Sequence, residues 1–149
     1  MRAGSFDVDK FIEGSRPFEG YHCFKNLVKI NNREPDPKGY YRNINKVEVL
    51  VKEPSEDDVL LLGDGVIHKN IYTRIVGKSF IWAQIRIMIS TMLRYSHGEF
   101  KIEELENLLT GDEKALTLSG GKTFHKRKAK PQGLYLTRVD YDLDKIIKT

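Results

Sequence analysis

Alternation of apolar and polar residues marks strands in the middle of the chain. In Asn45 to Val51 (NKVEVLV), Val47, Val49 and Val51 fall on one side and Lys46, Glu48 and Leu50 on the other, the period-2 pattern of a half-buried strand. Val66 to Gly77 carries a second, with Ile71, Thr73 and Ile75 opposite Tyr72, Arg74 and Val76. A helical period then takes over. Ser79 reads as the N-cap of a helix from Phe80 to about Ser96, which Gly98 stops. At about 100° per residue, Ile81, Ile85, Met88, Ile89 and Met92 share one core-facing stripe, with Arg86 on its border. Ile102 to Leu109 (IEELENLL) is a second amphipathic helix that ends at Thr110 and Gly111. Gly133 to Asp142 (GLYLTRVDYD) is a third strand, with Leu134, Leu136 and Arg138 alternating against Tyr135, Thr137, Val139 and Tyr141. Gly14 to Asn26, of weaker periodicity, reads as a short helix that exposes Gly20 and His22. Asn31 to Tyr41 is a loop rich in Pro and Gly, and Glu53 to Asp58 a solvated turn. Strands beside helices that do not alternate as βαβα predict an α+β domain, an antiparallel sheet with helices packed on one face.

At 149 residues the chain has the size of one domain, so residues 1–149 are expected to share one core. A net charge of only +4 with seven Phe and seven Tyr argues against disorder. The single cysteine, Cys23, excludes an intrachain disulfide and a Cys-x-x-Cys zinc site, and fits a reducing compartment. The most apolar stretch, Phe80 to Leu93, is broken by Gln84, Arg86 and Ser90, short of the ~20 residues a membrane span needs. The N-terminal MRAGSFDVDKF carries no apolar signal-peptide core. These features predict an intracellular protein with no membrane partner.

Charge is uneven along the chain. Glu99 to Lys114 holds six acidic and two basic residues, whereas Lys122 to Lys130 (KTFHKRKAK) holds five Lys or Arg, one His and no acid. Familiar catalytic patterns fail on inspection. Ser119-Gly-Gly-Lys-Thr123 resembles the end of a phosphate-binding loop, but Leu116 stands where its first glycine belongs. Thr117 likewise breaks a nucleophile elbow at Ser119. His22, His68, His97 and His125 are too dispersed for helical metal-ligand spacing. Two features survive. Arg86 is either a snorkelling arginine whose stem packs on Trp82 or a functional cation beside an apolar face. The basic segment is a solvated loop, a nuclear import signal or an RNA contact.

Three segments, in order, carry a family resemblance. Phe18-Glu19-Gly20-Tyr21-His22-Cys23-Phe24 resembles a G-x-H-(D/N)-F segment. Ile75 to Ile89 (IVGKSFIWAQIRIMI) resembles the strand, turn and helix written G-x-(S/G)-F-(L/M)-x-x-(M/Q)-(V/I)-R-x-(M/I)-(V/I). Pro131 to Tyr141 (PQGLYLTRVDY) matches P-x-G-L-x-L-x-x-V-x-Y at every fixed position. Together they resemble the C-terminal half of the tRNA pseudouridine synthase A family over residues 18 to 141. Cys23, Leu27 and Ser90 depart from the family pattern and point to a divergent eukaryotic member. The family's nucleophile motif in its N-terminal half, R-T-D-x-G-V, does not occur in the sequence. Asp64-Gly65-Val66 lacks the preceding Arg-Thr.

The resemblance implies an enzyme that isomerises uridine in tRNA or another structured RNA to pseudouridine, with an aspartate from the N-terminal half of the same enzyme and with no metal, nucleotide or redox cofactor. It implies that Arg86 approaches that aspartate, and that Gly133 and Leu134 enter the last strand with the leucine side chain against the target base. Lys122, Lys126, Arg127, Lys128 and Lys130, just upstream, would then contact phosphates, which position RNA without reading its sequence. His22 is open between a capping or core role and RNA contact. The competing reading is a non-catalytic RNA-binding module. A protein-interaction role for Ile102 to Leu109 has less behind it, and a homodimer is compatible with the sequence.

Overall fold

The computed structural model describes residues 7–30, 39–52 and 70–129. The anticipated strand Gly133 to Asp142, the turn Glu53 to Asp58, and site residues Lys130, Gly133 and Leu134 lie outside the described residues, as does Asp64-Gly65-Val66. In chain order the elements are α1 (Val8–Ser15), β1 (Gly20–Cys23), β2 (Tyr41–Lys52), β3 (Asn70–Gly77), α2 (Gln84–Ser96) and α3 (Ile102–Leu108), with short 3-10 turns between them. The three strands form one antiparallel sheet in the order β1-β2-β3. This is the expected α+β architecture. Among the described residues no helix is long and apolar enough to cross a membrane.

On the inner face of the sheet Ile44, Val47, Val49, Ile71 and Ile75 pack against a core built from Phe11 of α1, Ile87, Met88, Met92 and Tyr95 of α2, and Leu105 and Leu108 of α3. Val51 follows the alternation but is exposed at the strand end. β2 begins at Tyr41, four residues before the expected start. Its register shifts between Ile44 and Lys46, where Asn45 is an extra residue. Such a bulge changes the phase of the alternation. Inward positions therefore run Arg42, Ile44, then Val47, Val49, and the first part is invisible to a strict period of two. Glu19 braces the bulge by accepting the Val47 N–H at 2.8 Å.

The anticipated helix over Gly14 to Asn26 is instead the end of α1, a 3-10 turn and β1. α1 was not anticipated. Asp7 caps it by accepting from the Lys10 N–H at 3.1 Å. Gly14 lets it approach α2 closely, since a Cβ there would lie 2.6 Å from the Tyr95 ring, and the Tyr95 hydroxyl donates to Glu13 at 2.6 Å. α2 starts at Gln84, four residues later than expected, and Ser79 is not its cap. Ala83 occupies that position with φ 64°, a left-handed conformation that costs a residue bearing a Cβ about 1–2 kcal/mol. Fully buried Gln84 holds the turn by accepting the Ile81 N–H at 2.8 Å, and the Trp82 carbonyl accepts from Lys29 N–H at 3.1 Å. The buried face of α2 is also rotated from the expected stripe. Ile81, Met88 and Met92 are buried, but Ile85 and Ile89 are only half-buried, while Gln84, Thr91 and Ser96 lie inside. Thr91 and Ser96 satisfy their hydroxyls on the carbonyls of Ile87 and Leu93, so polar residues occupy core positions without an unmet hydrogen bond. α3 is as expected, and Asn26 donates to the Leu108 and Asp112 carbonyls at its C-terminal end.

Candidate RNA-binding and active-site strap

Residues 122–129 have no regular secondary structure beyond a bridge at Thr123, yet they are fastened at nearly every second step. Phe124 is 3% exposed, its ring edge-on to Phe100 at 5.9 Å, and its N–H donates to the Leu116 carbonyl at 2.7 Å. The Arg94 guanidinium lies 4.5 Å above the Phe124 ring, donates to the His125 carbonyl at 2.7 Å and pairs with Glu99 at 2.6 Å. Lys126 turns back, its Nζ donating to the Lys25 carbonyl at 2.9 Å. Burial, and then the neighbouring Lys25 charge, lower its pKa from the ordinary lysine value. The strap closes on Arg86: the Ala129 N–H donates to the Arg86 carbonyl at 3.0 Å, and Arg86 Nε donates to the Ala129 carbonyl at 2.7 Å.

The two features that the sequence singled out separately, Arg86 and the basic segment, are thus one structure. The reciprocal bonds fix the Arg86 backbone and orient its guanidinium, while Nη1 and Nη2 carry no hydrogen bond among the described residues. A cation does lie over the Trp82 ring, that of Lys29 at 4.5 Å. Within the strap, Lys122, Arg127 and Lys128 are exposed and are not tied to a partner among the described residues. They present positive charge on one run of chain, whereas Lys126 is already held by main chain. Arg94 was missed by sequence reasoning. Its signal was its place on the same helix, eight residues after Arg86 and so about 80° around the axis.

The remaining candidates resolve locally. The His22 Nε2 donates to the Glu19 carbonyl at 2.7 Å and its ring meets Phe24 edge-on at 6.1 Å. The Ser119 hydroxyl donates to Glu104 at 3.1 Å. The Ser119 backbone N–H, also bound to that carboxylate, is the main reason the Glu104 pKa lies below the usual range.

Comparison with known proteins bears on this geometry. The family model described as tRNA pseudouridine synthase matches residues 15–142. The chain is 29% identical over 113 residues to the tRNA pseudouridine synthase A of Methanothermobacter thermautotrophicus, an alignment that covers 76% of this chain and 34% of that protein. It is 31% identical over 97 residues to the protein of the same name from an Exiguobacterium species, covering 65% of this chain and 34% of that protein. With the Methanocaldococcus jannaschii protein of that name it is 26% identical over 141 residues, covering 95% of this chain and 44% of the relative. The chain therefore spans between a third and less than half of the length of these curated relatives. With the match running from the end of α1 through the sheet, α2 and the strap, the chain belongs to the tRNA pseudouridine synthase family.

Proposed function

We propose that this chain is the C-terminal half of a tRNA pseudouridine synthase, and that it binds tRNA and completes an active site whose nucleophilic aspartate is carried by the N-terminal half of the same enzyme. The observation that carries the reading is the Arg86–Ala129 clamp, which presents a guanidinium whose Nη groups are unengaged among the described residues, at the end of a cationic strap.

The reaction breaks the bond from the ribose C1′ to N1 of uracil, turns the base, and forms a bond from C1′ to C5, with the C5 hydrogen lost to solvent as a proton and N1 taking up a proton. The target base must leave its stack to be reached, so the enzyme holds the RNA backbone while a pocket takes the base. Lys122, Arg127 and Lys128 supply that backbone contact through phosphate charge, with Lys126 and Lys130 in the same run. Arg86 keeps the aspartate ionised: a carboxylate in a water-poor pocket is driven toward its neutral form unless a cation faces it. Gly133 and Leu134 follow the strap within five residues of Ala129 in sequence and place the leucine side chain against the target base. The 149-residue chain alone should release no tritium from tRNA labelled at uridine C5, while the full-length enzyme should release it in step with pseudouridine formed. Turnover by the chain alone would refute the division of labour. An intact full-length protein that binds tRNA and never turns over would favour the non-catalytic RNA-binding module.

A further inference from the structure

The sheet face away from the helices bears an aromatic pair that neither the strap nor the clamp uses. Tyr21 and Tyr41, on neighbouring strands, stack with ring centroids 5.4 Å apart and planes 20° from parallel, yet they are 68% and 53% exposed. They line a hollow of about 290 Å³ together with Arg42, Asn43, Asn45 and Lys78. We propose that this hollow is a subsite for one unpaired nucleotide of the bound RNA, a base stacking on the Tyr21–Tyr41 platform with its phosphate at Lys78.

Each part of the hollow fits that occupant. The two rings are already in contact with each other, so a third ring adds to the open outer face of the pair, and every nucleobase has a face to stack on tyrosine. The Asn43 amide donates to Asn45 at 2.7 Å, which leaves the Asn43 oxygen as an acceptor and the Asn45 amide as a donor for a base edge. Arg42 is buried and donates to the Gly39 and Tyr41 carbonyls at 3.0 and 2.8 Å, fixing the backbone under Tyr41. Lys78 is exposed and in no ion pair among the described residues. Among the described residues no acidic side chain lines the hollow, so the charge they place around it suits a phosphate. The volume is that of a small-ligand pocket, for which ~300 Å³ is the lower end, and unstacked bases of single strands and loops are what aromatic platforms take from RNA. Lys78 also begins the turn that leads from β3 into α2, so the hollow is joined by a short, hydrogen-bonded path to the helix that carries Arg86.

The inference rests on the reading that the protein binds RNA, and its test separates the two. The full-length protein is cross-linked to tRNA substituted with 5-bromouridine, and the attached peptides are mapped. Cross-links at Tyr21 or Tyr41 are expected. Binding of the same tRNA by Tyr21→Ala/Tyr41→Ala should be about tenfold weaker, about 1.4 kcal/mol, whereas Tyr21→Phe/Tyr41→Phe should bind as the parent does because the stacking face is kept. Lys78→Ala should reduce the slope of log K against log salt by about 0.7, one single-stranded phosphate contact. A parent protein that binds tRNA without cross-links at either tyrosine, with the alanine pair equally tight, overturns the subsite and leaves the family function standing. A parent that binds no RNA overturns both. An alanine pair that melts earlier while its tRNA affinity is unchanged, again without tyrosine cross-links, would make the platform a contact within the protein and overturn the subsite.

Discussion

Replacing Arg86 in the full-length enzyme separates its two roles, because the clamp and the cation have different magnitudes and different readouts. The clamp bond is a charge-assisted N–H to carbonyl contact of 2.7 Å in a part-buried position. Hydrogen bonds to charged groups are worth about 1.5–3 kcal/mol, and partial exposure puts this one near the lower value. Arg86→Ala should then lower the melting temperature by about 3–6 °C for a domain of roughly this length, well short of unfolding. The proposed catalytic role is larger. An arginine facing an aspartate lowers the carboxyl pKa by about 1–3 units, each unit being about 1.4 kcal/mol. Without the arginine the carboxyl pKa rises by that amount, and the acid limb of the rate profile moves to higher pH.

Tritium release from C5-labelled tRNA, measured from pH 5 to 9 under single-turnover conditions, reads the acid limb, and thermal melting reads the clamp. Below the raised pKa, Arg86→Ala should lose about ten- to a thousandfold in rate, the change of about 1.4–4 kcal/mol in barrier that 1–3 pKa units represent. Arg86→Lys keeps one charge but has no second donor fork, so its single ammonium serves either the Ala129 carbonyl or the carboxylate. It should keep the parent's acid limb more closely than the alanine variant while melting almost as early. Arg86→Ala with a near-normal rate and an unmoved acid limb would refute the reasoning, as would a variant that does not fold.

Alanine at Lys122, Arg127 and Lys128 together should lower the salt slope of tRNA binding by about 2–3, at roughly 0.7–0.9 per phosphate contact. Lys126→Ala should change that slope least, because its ammonium is committed to the Lys25 carbonyl, and an equal effect from Lys126 would refute this ranking. Burial, followed by the bond to Glu13, pushes the Tyr95 pKa up to about 12. The fold therefore favours the protonated phenol, whose stabilisation is complete below the unfolded value near 10 and is lost as pH rises from about 10 to 12. Urea midpoints across that range should fall more steeply for the parent than for Tyr95→Phe, and equal slopes would dismiss the contribution.

Much of the sheet was legible because Ile71, Thr73 and Ile75 alternate without interruption, and α3 because its apolar spacing ends at a glycine. Gly111 has φ 77° and a Cβ there would overlap the Cys23 sulfur, so that stop signal has a steric reason in the fold. α1 had its own signals, Asp7 as cap and Val8, Phe11 and Ile12 at helical spacing, but only one large apolar residue of that helix is buried, and the pattern was too thin to stand out. The turn at Ala83 was not legible. It depends on Gln84 and Lys29, a buried amide and a main-chain donor from a distant part of the chain, and neither leaves a trace in local periodicity. Arg86 was legible through the family motif, whereas its partner was not, since Ala129 contributes only backbone atoms from 43 residues away.

The dimensions of the strap give a reason for that pairing. Arg94 holds the His125 carbonyl and Arg86 holds Ala129, so two anchors on one helix meet two anchors on one extended segment running the opposite way. Eight residues of α-helix rise about 12 Å, and four residues of extended chain cover about 13 Å. The two lengths are comparable. Lys126, Arg127 and Lys128 lie between the anchors, so the free cations Arg127 and Lys128 are set at fixed heights along α2 even though no regular secondary structure contains them. Under the proposed function, a phosphate bound there would be measured off against Arg86 itself. Because the strap contributes main-chain atoms at both anchors, this register does not depend on the side chains of His125 and Ala129.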